Sequence, residues 1–442
     1  MVTTASATRV PGPGTSSVGN AGEAAGRSAV RLHSIDALRF LAAAGVVVYH
    51  FIVRWSNVWG EDPGERFSDV GPAIMYFVLA PELFFVVSGF VILWTAWGRS
   101  APQVVASRLA RVYPAYWAAL ALTSVLLLVI WPQGKRISLA EVAVNVTLLQ
   151  EAFGVRNVDG VYWTLWTELR FYLLIAVFAA IGITRRRAIA FAAAWPPVAL
   201  VVDAVGWGFG STLLISRYAP FFAGGMLLYL IYRGGHRRLL WASVGLNAAL
   251  ALYTTVPAQL ATLRRVTAFE PNAVVLGVLV VGLFAAVAAT AMTRLRDVRW
   301  PFLAVLGALT YPLYLIHQFW GWWVISLLEP ALPTGVTLAA ALVVSLALAC
   351  GIHYGVERSF SGRARRWLER RLTRVPAPRP VDRAAVSRLG WPPRRRGWSR
   401  GRAEPWSPRF LVGDPGSRLA ASRGSPPVLW RDGRPGRVVR GR

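Results

Sequence analysis

The sequence predicts an all-α fold: a polytopic transmembrane helical bundle of about ten spans with both termini cytoplasmic. Three observations predict it. Of 442 residues, 55% are hydrophobic and only 16% charged, with a mean hydropathy of +0.45, too apolar for an ordinary soluble domain. Long apolar runs alternate with short polar ones, each run able to cross about 30 Å of hydrocarbon. Arginine clusters recur in every second loop, the asymmetry that orients membrane helices.

Residues 1–31 are rich in Gly, Ser and Ala and lack the apolar stretch of a cleaved signal. They are expected to form a disordered leader, so targeting falls to the first span. Span one is placed at 36–54, with Asp36 and Arg39 at its start and His50 near its end. Span two, at 73–97, contains APELFFVVSGF and with it Glu82 and Ser88. Span three, at 113–131, follows Arg108 and Arg111 of RLARVYPAYW. Span four, at 162–183, carries Glu168 in VYWTLWTELRFY. Span five, at 188–205, is broken by WPPVALVVD. Spans six, seven and eight fall at 213–232, 239–256 and 273–293. Span nine, at 302–328, brings in His317, and span ten, at 335–356, carries His353 and the single cysteine, Cys350. Internal Gly and Pro are tolerated where neighbouring helices satisfy the freed backbone groups.

The charges fix the orientation. With the N-terminus inside, the inner loops hold Arg99, Arg108 and Arg111, then Arg185–Arg187, then Arg233, Arg237 and Arg238, then Arg294, Arg296 and Arg299. Only Asp297 opposes them, whereas the outer loops mix signs. From Arg358 onward there are 23 arginines against 5 acids, so most of the formal charge of +27 sits in the C-terminal segment. Residues 361–442 are expected to form a basic, disordered cytoplasmic tail, suited to anionic lipid headgroups. No nucleic-acid motif accompanies that charge, so no nucleic-acid partner is expected. One cysteine excludes an intramolecular disulfide and a multi-cysteine metal site, and no metal is expected.

An ionisable side chain within a span is costly and marks function. Arg39 and His50 are eleven residues apart, about 16 Å along a helix and nearly on one face. Glu82, Glu168 and His317 are placed at similar depth to His50, in the outer half. His33, His236 and His353 read as ordinary hydrogen-bonded histidines. Asp36 is expected either to pair with Arg39 or to serve the helix start.

These segments resemble the acyltransferase-3 family of integral membrane acyltransferases. The resemblance spans roughly residues 32–360 and rests on Arg39-x10-His50, ELFFVVSGFVI, RLARVYPAYW, WTLWTELRFY and TYPLYLIHQ, in family order. Pro81-Glu82 departs from the Gly-Val-Asp type of sequence common there, and the long Arg-rich tail is unusual. The resemblance implies transfer of an acyl group, often acetyl, from acyl-CoA to a hydroxyl, commonly on a sugar, within a cell (plasma or inner) membrane. Arg39, Arg108 and Arg111 would meet the CoA phosphates. His50 would act as general base, with Glu168 orienting the ring or stabilising imidazolium; a covalent acyl-histidine is the other course. Ser88 and the backbone near Gly89 would hold the acyl group. The acceptor is expected to be a polysaccharide, a glycolipid or a glycosylated metabolite. The competing class is a proton-coupled transporter of a small solute, which also uses buried carboxyls and imidazoles. Oligomeric state and acyl chain length have no signature in the sequence.

Overall fold

The computed structural model describes residues 32–60 and 62–373. The expected leader and most of the expected tail lie outside the described residues. Among the described residues, ten helical segments are long and apolar enough to cross a membrane: α1 (His33–Val53), α2 (Gly71–Ala96), α3 (Ala101–Ile130), α4 (Gly160–Ile181), α5 (Arg185–Ala204), α6 (Gly208–Gly234), α7 (Arg238–Val266), α8 (Ala273–Met292), α9 (Pro301–Leu328) and α10 (Thr334–Thr373). The described residues contain no strand. Helix starts follow local chemistry. Thr184 caps α5 by accepting from the Arg187 amide, Asn272 caps α8 by accepting from Val274 and Val275, and α9 opens on Pro301, whose missing N–H costs nothing there.

Three boundaries differ by more than five residues from the sequence expectation. α3 begins at Ala101 rather than 113, so Arg108 and Arg111 lie inside a helix and not in a loop. The start signal is local: Pro102 sits in the first turn, and the Gln103 side chain accepts from the Ser100 amide. α7 runs through Pro257 to Val266 instead of ending at 256, because Gln259, Thr262 and Leu263 still face protein. α10 continues past 356 to Thr373, its last part, Arg358–Thr373, an arginine-rich α-helix in place of the disorder expected from 361.

The core is the second half of α6, Ala219–Gly234, which packs against α2, α5, α7 and α8. Glycines set the closest approach. A Cβ on Gly89 of α2 would lie 2.0 Å from the Phe222 carbonyl oxygen, and one on Gly225 of α6 would lie 2.0 Å from that of Val86. The α2 and α6 backbones therefore touch, the small-residue packing that dispersion favours inside a bilayer. α9 packs on α1 and α10, which brings His317 to the end of α1.

α6 is not continuous. Gly208–Leu214 forms a short first helix; Ile215 then adopts a left-handed conformation (φ 58°), and the helix resumes at Ala219. Side chains from neighbouring helices serve carbonyls at the break: Trp195 Nε1 donates to Leu214 at 2.8 Å and Arg170 donates to Thr212, while Ser216 Oγ ties the break to α5 by donating to the Ala199 carbonyl at 2.9 Å. Irregular backbone at membrane depth persists only where protein or a polar cavity surrounds it.

Candidate active site

α1 ends in a π-helical turn, Tyr49–Val53, the wide turn that recurs at functional sites. The turn leaves the His50 and Phe51 carbonyls to outside donors, and two indoles supply them. Trp322 Nε1 donates to the His50 carbonyl at 2.9 Å and Trp59 Nε1 to that of Phe51 at 2.8 Å. The backbone carrying His50 is thus held from α9 and from the following loop.

His50 and His317 form a direct pair. His317 Nδ1 lies 3.1 Å from the Leu313 carbonyl and 3.0 Å from that of Tyr314. Carbonyl oxygens only accept, so His317 carries its proton on Nδ1 and turns the Nε2 lone pair outward. That Nε2 lies 3.1 Å from His50 Nδ1, which is also 2.9 Å from the Val46 carbonyl. Two acceptors on Nδ1 place the His50 proton there, leaving Nε2 as the free base. Among the described residues His50 Nε2 has no hydrogen-bond partner, and the His50 side chain lines a cavity of about 250 Å³ together with Arg54, Trp163, Arg217, Tyr218, Gln259 and Tyr314.

A second cavity, about 380 Å³, lies at the other end of the Arg39–His50 interval. Asp36, Arg39, Ser88, Arg108, Arg111 and Glu168 line it with Tyr172 and Tyr311. Arg39 meets no carboxylate at salt-bridge distance among the described residues. Arg108 donates to Thr95 and sits 5.9 Å over the Tyr172 ring. Arg111 is paired with the buried Glu357 at 2.9 Å, and Glu357 also meets His353 Nδ1 at 2.9 Å. A narrow space of about 60 Å³ stands between the two cavities. It shares Arg39, Ser88, Glu168 and Tyr311 with the arginine cavity, and Pro81 and Tyr314 with the His50 cavity. Phe84, Phe85 and Leu165 make much of its wall apolar.

The structure therefore brings the two imidazoles together but not the two carboxylates. Glu168 accepts from Ser88 Oγ at 2.8 Å in the narrow space and makes no hydrogen bond to His50, whereas His317 lies against His50. Glu82 is fully buried, accepts from Gln259 Nε2 at 2.8 Å, and lines none of these three cavities. Asp36 forms no salt bridge with Arg39; it lies in the first turn of α1, where its charge suits the helix start, and packs against α9 at Gly307, where a Cβ would come within 2.6 Å of its own Cβ. Ser88 lines the path, whereas Gly89 serves helix packing. Tyr311, Tyr314 and His317 recur at three-residue spacing on one side of α9, a signal that was present in TYPLYLIHQ. Arg217, Gln259 and Glu357 fell outside the expected motifs, since the breaks and extensions of α6, α7 and α10 decide where they point.

Beside the site, the 131–160 loop is tied down by Asn145, which donates to the Glu141 and Arg156 carbonyls and accepts from the Val158 amide. Asp159 accepts from the Val161 amide at 3.2 Å and is fully buried; burial pushes its carboxyl up to about 7.

Fold and site together define a polytopic membrane protein with a paired imidazole in its interior and an arginine-lined cavity alongside. Residues 32–354 match the family model described as an acyltransferase domain, and the chain belongs to the acyltransferase-3 family. It is a multi-pass membrane acyltransferase. No match was found among curated proteins or solved structures.

Proposed function

We propose that the protein moves an acyl group, acetyl in the simplest case, from cytoplasmic acyl-CoA to a hydroxyl of a carbohydrate-containing acceptor, across the plasma or inner membrane. The observation that carries this reading is the series of three adjoining cavities running from Arg39, Arg108 and Arg111 to His50. CoA is a polyanion, and guanidinium groups give planar, multi-donor contacts to phosphate. Arg39 and Arg108 meet no carboxylate at salt-bridge distance among the described residues, so their charge is available to a ligand. The narrow, partly apolar segment suits an extended pantetheine arm, with Ser88 and Glu168 along its wall. The thioester then arrives beside His50.

His50 Nε2 takes the proton of the acceptor hydroxyl as its oxygen attacks the thioester carbonyl. The tetrahedral carbon collapses, the C–S bond breaks, and the proton passes from His50 to the leaving CoA sulfur. While His50 is imidazolium, its Nδ1–H donates to His317 Nε2 and the Val46 carbonyl, so both help to carry the charge. His317 plays for His50 the part an acid plays in a Ser-His-Asp arrangement, without its full charge.

Radiolabelled acetyl-CoA supplied to inside-out vesicles tests the reading. Label is expected on a glycan, and His50→Ala is expected to lower transfer by about 10²–10⁴-fold with normal expression. Full activity in that variant sinks the assignment, and solute flux without labelled glycan returns the transporter class.

A further inference from the structure

We infer that the acceptor carries a carboxylate or phosphate, gripped by Arg54 and Arg217 on the wall of the His50 cavity; the inference rests on that cavity being the acceptor side. Several arginines pair with carboxylates, among them Arg66 with Glu329, Arg156 with Glu141 and Arg264 with Glu270. Arg54 and Arg217 are different. Both line the His50 cavity, and no carboxylate among the described residues reaches salt-bridge distance of either. Arg217 Nε is buried without a hydrogen-bond partner, and its guanidinium leans over the Tyr218 ring at 5.3 Å. A buried guanidinium N–H left unsatisfied is costly unless a ligand completes it.

Two carboxyls stand behind the wall rather than on it. Glu82 is held by Gln259, and Asp159 by the Val161 amide. Neither lines the cavity, so the surface presented to a ligand is cationic.

The backbone supplies an independent sign. Arg217 lies in the break of α6, two residues after Ile215, a β-branched residue held at φ 58°. That conformation is unfavourable for any β-branched side chain and persists only when its surroundings enforce it. The break places Arg217 and Tyr218 on the cavity wall just ahead of Ala219, where the long second helix begins with no side-chain cap. The positive end of that helix therefore adds to the two guanidinium charges. Trp163, Tyr218, Gln259 and Thr262 offer a ring face and polar groups for the rest of a sugar.

The test uses the full chain in nanodiscs, with the Arg39–Arg108–Arg111 cavity saturated by CoA. Methyl glucoside, methyl glucuronoside and glucose 6-phosphate are titrated calorimetrically into wild type, Arg217→Gln, Arg217→Lys and Arg54→Gln. The anionic sugars are expected to bind at least about tenfold tighter than the glucoside. Whichever is tighter distinguishes a carboxylate from a phosphate acceptor. Arg217→Gln and Arg54→Gln should abolish the preference, and Arg217→Lys should keep most of it. Equal or absent binding of all three sugars by wild type overturns the inference, as does a preference that survives Arg217→Gln. A parallel titration of acetyl-CoA into wild type separates the two readings: failure to bind it removes the donor assignment and leaves the anion preference standing.

Discussion

His317 gives the sharpest test of how the imidazole pair works. In His317→Ala, His50 keeps the Val46 carbonyl at 2.9 Å, so its Nδ1 proton and its ring position survive. What disappears is the acceptor 3.1 Å from Nδ1, and with it one hydrogen bond to the imidazolium that forms during transfer. A hydrogen bond to a charged group contributes about 1.5–3 kcal/mol. At about 1.4 kcal/mol per factor of ten, kcat should fall roughly 10- to 150-fold. The loss should lie in kcat, because His317 is remote from the arginine cavity and lines none of the three spaces. The assay is labelled acetyl transfer in inside-out vesicles over a range of acetyl-CoA concentrations, with thermal unfolding of the purified variant as the control for folding. Unchanged kcat, or a loss confined to the KM for acetyl-CoA in a folded variant, refutes the pairing role. A loss as deep as that of His50→Ala would make His317 itself the base.

Three further outcomes are expected. Arg39→Ala and Arg108→Ala should each raise the KM for acetyl-CoA roughly tenfold or more, with little change in acceptor affinity, as steady-state kinetics would show. Gly225→Ala should destabilise by about 1–3 kcal/mol, read as a lower unfolding temperature, because its Cβ meets the Val86 carbonyl oxygen at 2.0 Å; Gly245→Ala, whose Cβ meets nothing within 4 Å, is the control and should be near neutral. Asp159 binds its proton more tightly folded, at about 7, than an ordinary carboxyl near 3.8 does. Its contribution to stability is therefore complete below about 4 and lost as pH rises through about 7, with a slope of up to about 1.4 kcal/mol per pH unit. Asp159→Asn should remove that part of the fall between pH 5 and 8 in a thermal-unfolding series; an unaltered fall would refute it.

The sequence by itself determined the membrane class, the count of ten spans and the Arg39–His50 interval. Those follow from apolar length, from a helical repeat that eleven residues nearly complete, and from the cost of charge in hydrocarbon. It also singled out Ser88, Arg108, Arg111 and Glu168, which line the cavities, and His317, which meets His50, since ionisable and hydroxyl groups stand out in apolar runs. Depth along a helix is legible in this way, but rotation about the helix and the choice of neighbour are not. Only packing decided that His317, and not Glu168, meets His50, because α9 lies against α1 while Glu168 faces Ser88 on α2. Only packing withdrew Glu82 from the cavity by supplying Gln259, from a part of α7 beyond the expected span end. The break in α6 belongs to the same class. A left-handed Ile215 has no local signature in the sequence; Arg170 from α4 and Trp195 from α5 take up carbonyls at the break, and the break carries Arg217 to the wall beside the base.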